Sequence, residues 1–132
     1  MADTFQFELV SPERRLAAMA AREVQIPGAD GDLTAMPEHA PTITTLRPGI
    51  LRATGPEGER AFVVTGGFAE ITPGAASVLA ERAMPVEEAS AAVLDELLAE
   101  ARKAAESATP EAKDAADKLV ADMQALRGAV GV

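Results

Sequence analysis

Cysteine, tryptophan and tyrosine are all absent from these 132 residues, and histidine occurs once, at position 39. Without cysteine there is no disulfide framework and no thiolate chemistry. A zinc site would have only one nitrogen or sulfur ligand to draw on, so no metal site is expected. Four phenylalanines are the only aromatics. A core must therefore be built mostly from Ala, Val, Leu and Ile, and there are no platforms on which bases could stack. Basic residues are the minority, 12 against 21 acidic ones, for a net charge of −9. Nucleic acid and anionic lipid both attract basic faces, so this balance argues against either as a partner. No apolar run approaches the roughly 18 residues of a membrane span, and direct membrane insertion is not expected. The start, Met1-Ala2-Asp3-Thr4-Phe5, lacks the basic region and apolar stretch of a secretory signal, which points to a cytosolic chain.

What is present divides near Met84-Pro85. Before that point, short apolar runs alternate with Gly, Pro and Asp clusters, the spacing of an all-β sandwich or barrel. Phe5, Phe7 and Leu9 alternate with Gln6 and Glu8, the period-two pattern of a half-buried strand. Further strands are predicted at residues 23–26, 42–46, 50–54, 60–64, 68–71 and 76–79, with tight turns at Gly55-Pro56-Glu57-Gly58 and Pro73-Gly74. After Pro85 the period changes. Val93, Leu94, Leu97, Leu98 and Ala101 share one helical face. A second helix is predicted to open at Thr109-Pro110, with threonine as N-cap and proline at the first helical position. Its apolar face would be Ala112, Ala115, Ala116, Leu119, Val120, Met123 and Leu126, and Gly128 would end it. The short connection makes the two helices an antiparallel hairpin. The expected organisation is a sandwich domain over 1–85 and a helical hairpin over 86–132. Two such helices bury too little to stand alone, so the hairpin must rest on another surface.

Catalytic constellations are missing. Ser11, Ser77, Ser90 and Ser107 lie in no nucleophile-elbow context, and His39 has no triad partner pattern. A lone histidine between Pro37 and Pro41 reads as structural, its ring bonded to nearby backbone. Asp30-Gly31-Asp32 opens like a calcium loop, but Leu33, Thr34, Ala35 and Met36 break the pattern, which leaves a solvated turn. Gly66-Gly67 and Gly28…Gly31 precede neither a lysine nor a helix start, so they do not make a phosphate cradle. As strand-entry glycines they permit a bulge or close backbone packing.

Taken in order, several segments carry a family resemblance. They are Val24–Ile26 with the following Pro27-Gly28 turn, Pro37-Glu38-His39-Ala40-Pro41, Leu46-Arg47-Pro48-Gly49, Gly66-Gly67-Phe68, and Val78-Leu79-Ala80. Together they resemble the epsilon subunit of the bacterial F-type ATP synthase, strongly over the first two thirds of the chain and in architecture only beyond it. Thr34 and Ala35 stand where that family commonly has Gly and Ile. The resemblance implies a non-catalytic rotor subunit without a cofactor, peripheral on the cytoplasmic face of the inner membrane. Its sandwich would link the gamma subunit to the c-ring, coupling proton flow to ATP synthesis. Asp32, Pro37, His39, Ala40 and Pro41 are then candidates for the c-ring interface.

The hairpin departs from the family. Many members hold ATP with an Asp-x-x-Arg-Ala segment, where this chain has Ser90 and Val93, so the ATP site is not carried over. Inhibitory members push a basic helix toward an acidic segment of the alpha and beta subunits. Here Arg102, Lys103 and Arg127 are the regulatory candidates, but residues 86–132 hold five basic against ten acidic side chains. A weak regulatory role follows at most. The alternative from a different class is a stand-alone β-sandwich adaptor or binding protein.

Overall fold

The computed structural model describes residues 3–131. Eight strands come first: β1 (Phe5–Val10), β2 (Arg15–Ala21), β3 (Glu23–Gly28), β4 (Gly31–Ala35), β5 (Thr42–Thr45), β6 (Gly49–Gly55), β7 (Gly58–Thr72) and β8 (Ala75–Pro85). A 3-10 turn at Val86–Glu88 leads into helices α1 (Ala91–Glu106) and α2 (Lys113–Val130). Hydrogen-bonded order is β2-β1-β8-β7-β6-β3-β4, and β5 also pairs with β7. All these pairings are antiparallel except β1 with β8. The strands fold over as a sandwich around Phe7, Leu9, Val24, Ile26, Leu51, Phe62, Val64, Ile71 and Val78, each 1% exposed or less. The expected class, a β-sandwich followed by an antiparallel helical hairpin, is the one observed.

Strand β7 organises the sandwich. Its first half pairs with β6 and its second half with β5, while β8 runs along its other edge from Phe62 to Thr72. Two predicted strands, at 60–64 and 68–71, are thus one strand crossing Gly66-Gly67. Phe62 and Val64 face the main core before the glycines, and Ala69 and Ile71 face it after them. The inward parity changes from even to odd, which a period-two strand can do only through an irregularity. Both glycines have positive φ, and a Cβ at Gly67 would overlap the Leu79 carbonyl oxygen. That is the close packing expected of glycine here, now placed mid-strand.

Two strands escape the sequence pattern. β2 reads Arg-Leu-Ala-Ala-Met-Ala-Ala, too poor in β-branched residues to carry a strand signal. β4 includes Asp32, Leu33 and Thr34, which the preceding turn residues disguise as loop. The tight turns hold: Gly55 pairs with Gly58, and Thr72 with Ala75.

The hairpin corrects three expectations. Helix α2 opens at Lys113 with Ala112 as an uncapped N-cap, and not at Thr109-Pro110. Thr109 closes a turn instead, its carbonyl accepting from the Ala112 N–H at 3.0 Å. Residues 111–115 are all exposed, so packing offers an earlier start no reward. Gly128 lies inside the helix, which continues because Val130 still packs on the hairpin core. Gly131 ends it in the left-handed conformation, φ 83°. Finally, Ala112, Ala115 and Leu119 are exposed, and only Met123 and Leu126 of the expected α2 face are buried.

Gly67→Ala is expected to lower unfolding free energy by at least about 2 kcal/mol, through backbone strain and the clash at Leu79. Gly128→Ala, with open space around the new Cβ, should raise it by up to about 1 kcal/mol. Urea denaturation of the two variants checks both signs.

Candidate interaction surfaces

Asp32 lies beside the β3–β4 turn, paired opposite Pro27, with its side chain 77% exposed. The connection between β5 and β6 runs alongside. Its Arg47 Nη1 donates to the Gly28 carbonyl at 2.6 Å, and Nη2 donates to Asp32 Oδ1. The carboxylate is therefore already engaged by a guanidinium.

The Pro37–Pro41 loop lies beyond the other end of β4, whose last residue, Ala35, is about 10 Å from Asp32 at a strand rise of ~3.3 Å per residue. It is held by the Glu38 N–H on the Pro73 carbonyl at 2.8 Å and the His39 N–H on the Met36 carbonyl at 3.1 Å. Glu38 takes φ 70° to make this turn. His39 Nδ1 lies 2.6 Å from the Ala40 carbonyl oxygen, the backbone bond anticipated for a structural histidine. Pro37 and His39 are half-buried, Ala40 and Pro41 exposed. The five candidate residues thus form two separate places on the sandwich rim, one around Asp32 and one around His39.

A third surface was not anticipated. On the outer face of the sandwich, Phe68 on β7 pairs directly with Leu79 on β8, and Leu79 pairs with the half-buried Val10 on β1. Ile43 on β5 lies diagonal to Phe68, since its neighbour in register is Glu70. Ile43, Phe68 and Leu79 are 72%, 45% and 46% exposed. These are large apolar side chains at cross-strand contact spacing on a solvent face, rimmed by Glu8, Glu70 and Glu81. The signal was in the alternation. Ala69, Ile71, Ala76, Val78 and Ala80 face inward, so Phe68 and Leu79 occupy positions where polar residues are the rule.

The helical hairpin covers a different patch. Val63, fully buried, leaves the main core to join Ala89, Leu94, Leu97, Leu98, Ala101, Met123 and Leu126, with Ile50 and Met84 at the margin. Two exposed ion pairs span the seam, Arg14 with Glu88 at 3.1 Å and Arg82 with Glu100 at 3.0 Å. Ser90 is spent as the α1 N-cap, accepting from the Val93 N–H at 3.3 Å. Of the regulatory candidates, Arg102 and Arg127 both line the groove between the helices, while Lys103 lies around the helix from it. Arg127 Nε already donates to Asp95 at 2.6 Å. Among the described residues no cluster of His, Cys, Asp and Glu could hold a metal, and no helix is long and apolar enough to cross a membrane.

Residues 4–86 match the family model described as ATP synthase, Delta/Epsilon chain, beta-sandwich domain. The chain is 63% identical over 131 residues to an ATP synthase epsilon chain of Cereibacter sphaeroides, covering 99% of both chains. It is 60% identical over 131 residues to one of Fuscovulum blasticum, with the same coverage. Among solved structures, it superposes with TM-score 0.75 at 22% identity on a chain of Euglena gracilis mitochondrial ATP synthase, described as OSCP/F1/c-ring in rotational state 1. That match covers 98% of this chain and 83% of the other.

Because the seam rests on apolar burial, Val63→Ala should cost about 2 kcal/mol. Arg82→Ala breaks only a half-exposed ion pair and should change stability by less than about 0.5 kcal/mol. Chemical denaturation of the full chain compares the two directly.

Proposed function

The chain belongs to the ATP synthase epsilon-chain family, and from that premise we propose that it is the rotor subunit joining the gamma shaft to the c-ring. An epsilon chain is a structural component of the synthase and not its catalyst. The task is torque transmission, which needs a stiff body with two contact faces. A sandwich whose strands are joined by tight turns suits this better than mobile loops would. The observation that carries the gamma contact is the Ile43–Phe68–Leu79 stripe, since exposed apolar clusters with a polar rim mark protein interfaces. The c-ring contact is assigned to the rim bearing Asp32, Pro37, His39, Ala40 and Pro41. The complex then sits peripherally on the cytoplasmic face of the inner membrane.

The division at Pro85 makes the sandwich, residues 1–85, the coupling unit and residues 86–132 a regulatory appendage docked on it. Its net acidic charge disfavours approach to an acidic segment of the alpha and beta subunits, because like charges across an interface cost free energy. With Ser90 capping its own helix and Val93 packed toward the core, no ATP-holding motif remains. Regulation of hydrolysis by the hairpin is accordingly weak.

Capture of the gamma subunit by the full chain tests the main reading. Phe68→Ser and Leu79→Ser should each weaken capture by about tenfold or more while leaving the unfolding midpoint nearly unchanged. Undiminished capture would overturn the stripe assignment. Recovery of the protein in the soluble fraction, apart from any membrane-bound ATPase, would favour a free adaptor. A cysteine replacing Asp32 should cross-link to one in the polar c-subunit loop, which requires Cα atoms within about 7 Å. Deleting residues 86–132 should leave synthesis intact and raise hydrolysis less than about threefold. The isolated chain should give no binding heat with ATP.

A further inference from the structure

We propose that Arg47 is the positioning residue of the β3–β4 tip, holding Asp32 charge-compensated so that the tip recognises a neutral hydrogen-bond donor and not a cation. This rests on the reading that the tip faces the c-ring. The geometry comes from both sides of the guanidinium. One arm donates to the Gly28 carbonyl at 2.6 Å and the other to Asp32 Oδ1, a two-pronged grip that the planar fork of arginine supplies and lysine cannot.

Backbone contacts make the support rigid. The Arg47 N–H donates to the Pro27 carbonyl at 3.0 Å, the Ala29 N–H donates to the Thr45 carbonyl at 2.8 Å, and Gly28 bridges to Leu46. Gly49 is pressed so close to Pro27 that an added Cβ would lie 2.6 Å from the proline Cβ. The tip is thus stitched to the β5–β6 connection before any partner arrives, which removes ordering costs from docking.

The chemistry of recognition follows from what is already occupied. Arg47 is mostly shielded, its side chain 28% exposed, whereas Asp32 is 77% exposed. Among the described residues no hydrogen bond reaches Asp32 Oδ2, so one oxygen stays open to an incoming donor. A lysine or arginine approaching it would meet the Arg47 charge in the same contact. An amide or hydroxyl would meet no such repulsion. A cation would instead be drawn to exposed Asp30, which has no ion-pair partner among the described residues.

The test uses the full chain and detergent-solubilised c-ring from the same organism, with hydrogen exchange at residues 29–33 as an independent readout. Arg47→Gln should speed tip exchange by about tenfold and weaken c-ring capture by at least about fivefold, with Arg47→Lys intermediate. Asp32→Asn should weaken capture while leaving exchange unchanged. Wild-type capture should vary less than about threefold between about 50 and about 300 mM salt. Unchanged exchange in Arg47→Gln would overturn the positioning role. Capture lost in Asp32→Asn but kept in Arg47→Gln would overturn the part given to Arg47 and leave the ring-facing reading intact. Capture kept in both would overturn that reading itself. A steep fall with salt would overturn the neutral-donor specificity.

Discussion

The contact between Gly67 and the Leu79 carbonyl is the constraint on which the rest of the molecule depends. β7 is the longest strand and touches β5, β6 and β8, so its path determines theirs. Two consecutive residues at positive φ let it change which face looks inward without losing register with β8. Before the change, Val63 points out of the main core into the hairpin. After it, Phe68 points out into solvent. A strand of unbroken alternation would send Ala69 and Ile71 outward in line with Val63, and both the core and the outer stripe would be lost.

That arrangement separates the surfaces of the sandwich by chemistry. The patch under the hairpin is apolar and sealed, with ion pairs only at its exposed margin. The outer stripe is apolar and open, with an acidic rim. The edge around Asp32 is polar and pre-organised by Arg47. The proposed role, carrying load between two partners, needs these places held in fixed relation, and the hydrogen-bonded strands β7 and β8 would provide it. The hairpin adds little to that frame. Its first helix buries five residues and its second only two.

Local chemistry made much of this readable in the sequence. Phe5, Phe7 and Leu9 announced a strand by alternation, Gly55–Gly58 and Pro73-Gly74 announced turns, and the leucines of α1 announced a buried helical face. What escaped was set by contacts distant in the chain. β2 is a strand because β1 lies beside it, since its alanines alone carry no β signal. Thr109-Pro110 has the local chemistry of a helix start, but nothing packs against the turn that would follow. Gly66-Gly67 looks like an interruption until Leu79 is placed against it. Of the candidate site residues, His39 behaves as its prolines suggested. Asp32 and His39 were grouped by the family resemblance, and β4 sets them at its opposite ends. Arg47 reaches 15 and 19 residues back to its partners, a spacing with no periodic signature. Phe68 and Leu79 became visible as a surface only once the parity change was known.

The most direct test of the account is hydrogen exchange of the full chain, free and bound to the gamma subunit. If the stripe is the docking face, binding should protect amides in residues 42–45, 66–70 and 77–81 and leave α1 and α2 as they were. Protection confined to the helices, with the sheet unchanged, would contradict it.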